Sequence, residues 1–134
     1  MSSIFSKIIK REIPAYIVAE DEAQIAFLDI NPIARGHVLV VPKREVDYYF
    51  DLNDNEFIDL NLFAKKVANA LEKSIACQRI GIAIVGLEIP HAHIHLIPLN
   101  TMEDINFNKP KLQLSEEELK EIAYSVRKTY QALY

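Results

Sequence analysis

The 134-residue chain has one cysteine, no tryptophan, three glycines and no surplus of basic residues, and each shortage excludes something. Cys77 has no partner for an internal disulfide, which suits a reducing compartment. Its place at the end of an apolar helical stretch reads as a buried, inert thiol. Glycines at 36, 81 and 86 are too few for a phosphate-cradling loop of Walker or Rossmann type, and no Gly-x-Ser-x-Gly elbow occurs. A net charge of −4 offers no basic footprint for a nucleic-acid polymer. No apolar run approaches a membrane span, and Met1-Ser2-Ser3 does not open a signal peptide. The expectation is a cytoplasmic globule with no membrane or nucleic-acid partner. Half the residues are hydrophobic, enough for one core and one domain over 1–134.

Against this plain background stands His91-Ala92-His93-Ile94-His95-Leu96-Ile97-Pro98. Strict alternation is the period of a β-strand, so the three imidazoles share one face while Ala92, Ile94 and Leu96 turn to a core. At about 3.3 Å per residue, His91 and His95 stand roughly 13 Å apart. Three chemistries compete for such a row. One is nucleophilic attack at phosphorus: a neutral imidazole attacks through one nitrogen while the other is held by an acceptor, and its neighbours bind the phosphoryl oxygens. His37, opening another strand, joins them if the strands are adjacent. A second is a metal site, in which a His-x-His pair and His37 or Glu88 hold Zn²⁺, although the outer pair lies too far apart for one ion. The third is a solvated polar face without chemistry, an uncommon use of clustered titratable groups.

The rest of the chain supplies a scaffold. Ile4, Phe5, Ile8 and Ile9 mark one side of a short helix that Pro14 ends. Strands are predicted over 16–20 and 24–28 as a hairpin, and over 37–42 as a central strand covered on both faces. Asn53 and Glu56 form a capping box for a long helix whose buried stripe runs through Phe57, Leu60, Ala64, Val67, Ala68, Leu71 and Ile75. Ile58, Leu62 and Phe63 exceed what one sheet needs to cover and hint at a homo-oligomer face. A fourth strand is predicted over 79–85 and the histidine strand is the fifth, with Pro90 and Pro98 at its ends. Ser115 and Glu118 cap a C-terminal helical extension within 113–134. The fold class is therefore α+β, with a sheet of about five mostly antiparallel strands, one long central helix, a short N-terminal helix and a C-terminal helix.

The triad, together with Ser3-Ile4-Phe5-Ser6-Lys7-Ile8-Ile9, Ala26-Phe27-Leu28-Asp29-Ile30-Asn31-Pro32 and Gly36-His37-Val38-Leu39-Val40-Val41-Pro42-Lys43, resembles the Hint-like branch of the histidine triad (HIT) superfamily. The resemblance spans residues 3–98. It implies a two-layer HIT-like fold and a homodimer whose sheets join. It also implies a partner that is a nucleoside monophosphate-containing small molecule, with no cofactor. The activity implied is hydrolysis or nucleotidyl transfer at the α-phosphate of phosphoramidates or dinucleoside polyphosphates. Carried over, His93 is the nucleophile, His95 contacts the phosphate, and His91 and His37 support them. Asp29, with Ile30 and Asn31, lies at the ribose, where a carboxylate suits a vicinal diol. A turn-capping role for Asp29 stands beside this. Ile4, Phe5, Ile8, Phe27 and Ile30 match the apolar wall of the base pocket, or else plain core.

Two departures qualify the match. Ser3, Ser6 and Glu45 stand where many bacterial relatives have two cysteines and a histidine, and hydroxyls are poor zinc ligands, so no structural zinc is expected. The phosphate-contacting loop that the resemblance implies shrinks to 85–90, which puts Leu87 and Glu88 at nucleotide-binding positions, although Leu87 has nothing to offer a leaving group. A catalytically weak nucleotide-binding or signalling module is the alternative, and a metal-binding His-x-His protein the third.

Overall fold

The computed structural model describes residues 2–134. The elements run α1 (Ile4–Ile9), β1 (Ile17–Glu20), β2 (Gln24–Leu28), β3 (Val38–Pro42), α2 (Asp54–Ser74), β4 (Arg79–Ala83), β5 (Ile94–Leu99) and α3 (Glu116–Leu133), with single 3-10 turns at Tyr49–Asp51 and Met102–Ile105. The sheet order is β1-β2-β3-β5-β4 and every pairing is antiparallel. After the β1–β2–β3 meander the chain leaves through α2 and returns at the far edge as β4. It then reverses so that β5 fills the slot beside β3.

Local chemistry explains the helices. Both long helices begin with a reciprocal capping box, Asn53 with Glu56 and Ser115 with Glu118, which satisfies two otherwise orphaned N–H groups at each start. Val38 and Val40 of β3 and Ala92, Ile94 and Leu96 form one cluster with the inner faces of α2 and α3. Leu39 and Val41 face the other way and join Ile25, Phe27, Phe5 and Ile8 under α1. β3 is thus covered on both faces, as its unbroken apolar run requires.

Several boundaries differ from the sequence expectations. β4 stops at Ala83 rather than 85, and β5 starts at Ile94, so His91 and His93 precede the strand. The cause lies at Pro42: the β3–β5 ladder ends at Val40 opposite Ile94, and the Pro42 carbonyl accepts from the His91 ring instead. Pro98 sits within β5, paired with Ile80, rather than at its end. Phe63 belongs to the core, leaving Ile58 and Leu62 as the exposed residues of α2's surplus. Leu133 is exposed where α3 runs out. Cys77 is half-buried, not buried, because α2 ends at Ser74 and the thiol falls in the turn before β4. Partial burial still raises its pKa, which keeps it protonated and unreactive.

Candidate active site

The site is assembled where the turn 29–37 meets the approach to β5. The turn is held by Asp29 N–H donating to the His37 carbonyl (3.0 Å) and His37 N–H donating to the Ala34 carbonyl (3.1 Å). Asn31 N–H donates to Asp29 Oδ1 (2.8 Å), so Asp29 does cap its own turn. Gly36 takes φ +89, and a Cβ there would lie 3.0 Å from Ile75 and 3.2 Å from Pro98. Only glycine delivers His37 into β3 at this angle without strain.

The hydrogen-bond partners assign the imidazole protons, since a backbone N–H only donates and a carbonyl only accepts. Ile33 N–H points at His37 Nδ1 (3.3 Å), making that nitrogen an acceptor and placing the proton on Nε2. His37 Nε2–H then donates to His95 Nδ1 (3.0 Å), and His95 carries its own proton on Nε2. Both rings are buried. Burial, with the His95 ring next, lowers His37 to about 3, and burial lowers His95 to about 4, so both are neutral at pH 7. His93 Nδ1–H donates to the His91 carbonyl (2.7 Å), which leaves the Nε2 lone pair uncommitted. The His93 and His95 ring centroids lie 4.9 Å apart.

His91 shares the Phe5 ring with His93 but bonds to partners of its own. Its fully buried ring donates from Nε2 to the Pro42 carbonyl (2.8 Å) and accepts at Nδ1 from Ser3 Oγ–H (2.7 Å). Ser3 Oγ also accepts from Ser6 N–H (3.0 Å) as the N-cap of α1. Glu45 Oε1 accepts from Ser3 N–H (2.8 Å) and Ser6 Oγ–H (2.6 Å), and those bonds lower its pKa to about 2. Ser3, Ser6 and Glu45, the three residues at which the resemblance implies lost zinc ligands, thus gather beside His91. Here they satisfy one another, and their donor set of hydroxyls, one carboxylate and one imidazole contains no thiolate, so it does not fit structural zinc.

Asp29, His37 and His95 also gather ligand atoms within 4.8 Å of one another. Metal binding there would use His37 Nε2, the nitrogen that carries the proton because Ile33 N–H occupies Nδ1. An ion there would have to displace that proton. Asp29 Oδ2 lies 3.8 Å from His37 Nε2, and burial raises the Asp29 pKa.

Not every expected wall residue lines the histidines in the same way. Phe5 packs edge-on against Phe27, His91 and His93, at centroid distances of 5.5, 5.7 and 5.1 Å. Phe27 and Ile8 are buried core, whereas Ile4 and Ile30 are half or more exposed. Glu88 is close enough to Asp29 for its charge to raise that carboxyl's pKa, and Leu87 projects into solvent at 88% exposure. Residues that sequence reasoning missed are Phe107, 4.9 Å from His95 and 6.4 Å from His37 by ring centroids, and Lys111 beside it. No periodicity marks either; an aromatic followed by lysines after the triad is the only signal. Two open clefts of about 730 and 590 Å³ lie elsewhere, and neither is lined by a histidine.

Comparison with known proteins identifies the family. A HIT-like protein of Borreliella burgdorferi is 36% identical over 131 residues, covering 92% of this chain and 94% of its own. The adenosine 5'-monophosphoramidase of Schizosaccharomyces pombe is 35% identical over 129 residues, with 94% and 96% covered. A crystal structure of a Hit-like protein from Bartonella henselae superposes with TM-score 0.83 at 29% identity, covering 96% of each chain. The HIT domain profile matches residues 10–102, a span that holds His37 and all three triad histidines. With that match and a five-stranded antiparallel sheet flanked by three helices, the chain belongs to the HIT family.

Proposed function

We propose that the protein is a nucleotide hydrolase or nucleotidyl transferase acting at the α-phosphate of a nucleoside phosphoramidate or dinucleoside polyphosphate, with His93 as nucleophile. The observation that carries this is the His93 Nδ1–H bond to the His91 carbonyl at 2.7 Å, which aims a free Nε2 lone pair into the site. His93 Nε2 forms the bond to phosphorus as the bond to the leaving group breaks and its electron pair departs with that group. The positive charge that develops on the ring is stabilised by the carbonyl dipole already bound at Nδ1. His95 Nε2–H, fixed as a donor through His37 and Ile33 N–H, binds a phosphoryl oxygen. Water then displaces His93, releasing the nucleoside monophosphate and returning the pair to Nε2. Asp29 takes the ribose hydroxyls through Oδ2 while Oδ1 stays on Asn31 N–H. Ile4, Phe5, Ile8, Phe27 and Ile30 form or back the base wall. The phosphoramidase relative supports the substrate class.

We also read the functional unit as a homodimer. β4 lies at the sheet edge and exposes Ile82, and Ile84 and Val85 follow it, with Ile58 and Leu62 of α2 adding to the exposed apolar surface. Among the described residues no helix is long and apolar enough to cross a membrane, and a cytoplasmic setting is the one we infer.

Intact-protein mass spectrometry after brief mixing with an adenosine phosphoramidate tests the nucleophile. Wild type should gain one nucleoside monophosphate and His93→Ala should not, while the variant still binds the monophosphate within a few fold. Tight binding with neither adduct nor product would favour the weak binding module, a reading supported by the solvent-directed Leu87.

A further inference from the structure

The chemistry proposed above brings a phosphate to a site short of positive charge. His37 and His95 are neutral at pH 7, and Asp29 and Glu88 are acidic neighbours. A phosphate placed there meets repulsion unless a cation is supplied. The segment after β5 brings one. Leu112 N–H donates to the Pro32 carbonyl (2.8 Å), which ties this segment to the turn that carries Asp29. Phe107 then lies edge-on against His95, at 4.9 Å and 74°, and against His37, at 6.4 Å and 78°. The Lys111 ammonium sits 6.0 Å from the Phe107 ring centroid and donates to the Phe107 carbonyl (3.1 Å). Lys111 is exposed, so the two remaining donors of its ammonium are open to a ligand. Its charge is felt at Asp29, His37 and His95 together. Residues 107 and 111 lie beyond the matched HIT domain span, which ends at 102.

Resting on the nucleotide reading above, we propose that Lys111, held over the histidines by Phe107 and the Leu112–Pro32 bond, is the phosphate-binding cation of this site. It takes phosphate oxygens rather than base or sugar. It thereby supplies from the C-terminal segment a contact that Leu87 in the shortened loop does not make.

The test is binding of adenosine 5'-monophosphate and of adenosine to the full chain, as wild type, Lys111→Met and Lys111→Arg, at low and high salt. Lys111→Met should weaken the monophosphate about fivefold or more at low salt, and by less at high salt, because the lost contact is a screened charge pair. Adenosine affinity should not change, and Lys111→Arg should stay near wild type. Equal monophosphate affinity in wild type and Lys111→Met would overturn the proposal while leaving the nucleotide site intact. Parallel loss of monophosphate and adenosine would overturn it too, since that pattern reports a disturbed wall rather than a lost charge. Wild type that binds neither ligand would overturn the nucleotide reading itself.

Discussion

Replacing Ser3 by alanine removes one oxygen atom that performs two tasks, and the cost of each follows from its partners. As the N-cap of α1, Ser3 Oγ satisfies Ser6 N–H, and loss of such a cap costs about 1 kcal/mol. As a donor it satisfies His91 Nδ1 in a ring with 0% exposure, and an acceptor stranded there costs about 1–3 kcal/mol. Together Ser3→Ala should lose about 2–4 kcal/mol. For a chain of this size that lowers Tm by roughly 8–16 °C, at about 4 °C per kcal/mol. Urea unfolding at constant m, read as a fall in the midpoint, is the primary assay. The double-mutant cycle with His91→Phe separates the two tasks, because a ring without Nδ1 has no acceptor to strand. In that background Ser3→Ala should cost only the cap, and the coupling energy should be about 1–3 kcal/mol. A loss below about 0.5 kcal/mol for Ser3→Ala, or coupling near zero, would refute the argument that Ser3 holds the triad's first histidine.

Acidification should unfold the protein earlier than its carboxylates alone would. His37 and His95 are lowered to about 3 and 4, and His91 is lowered by burial, whereas all three protonate near 6.5 once unfolded. The unfolded state therefore binds more protons below that pH, and stability falls as pH drops, with each ring approaching about 1.4 kcal/mol per pH unit. Urea midpoints at pH 7.5, 6 and 5 should decline, and a flat series would contradict the neutral, buried rings. Below about pH 4.5 the lowered Glu45 and Glu56 extend the decline, while Asp29, raised by burial, opposes it. Gly36→Ala places a Cβ against Ile75 and Pro98 at φ +89 and should cost about 1–3 kcal/mol; a urea midpoint unchanged from wild type would show that the turn relaxes freely. Ile82→Asp, at the exposed edge of β4, should turn a sedimenting dimer into a monomer of unchanged fold, and a wild type that sediments as a monomer would remove the dimer reading.

Much of the scaffold was legible because its signals are local. The two capping boxes and the apolar stripe of α2 depend on residues three or four apart, and each reappears at the expected place. The uninterrupted Val38–Val41 run likewise predicts a strand covered twice, since no alternation leaves a side for water. Period alone went too far at the triad. Alternation does place Ala92, Ile94 and Leu96 on the opposite face from the rings, yet it also predicts a continuous strand from His91. The ladder stops at Ile94 opposite Val40, and beyond it the Pro42 carbonyl accepts from the His91 ring instead. That break is what gives His91 a different job from His93 and His95. Its ring turns to Ser3 and Pro42, and its carbonyl, freed from a ladder, receives the nucleophile's Nδ1–H.

What was not legible is long-range by nature. Ser3 and His91 are 88 positions apart, His37 and His95 58, and no spacing rule links either pair. Resemblance brought Ser3, Ser6 and Glu45 together only as lost zinc ligands. The structure gives them a role of their own: one carboxylate gathers two serines, and one serine donates to the free nitrogen of a histidine whose tautomer the Pro42 carbonyl sets. Proton placement in this site therefore runs from backbone to ring rather than from ion to ring. Ile33 N–H decides His37, His37 decides His95, and the Pro42 carbonyl decides His91, to which the Ser3 hydroxyl then donates. Every imidazole that borders the proposed nucleophile is held neutral with its protons assigned by groups that do not titrate near pH 7. A hydrogen-bonded frame of this kind keeps His93 Nε2 as the one imidazole nitrogen free to attack, and it does so without a metal ligand set.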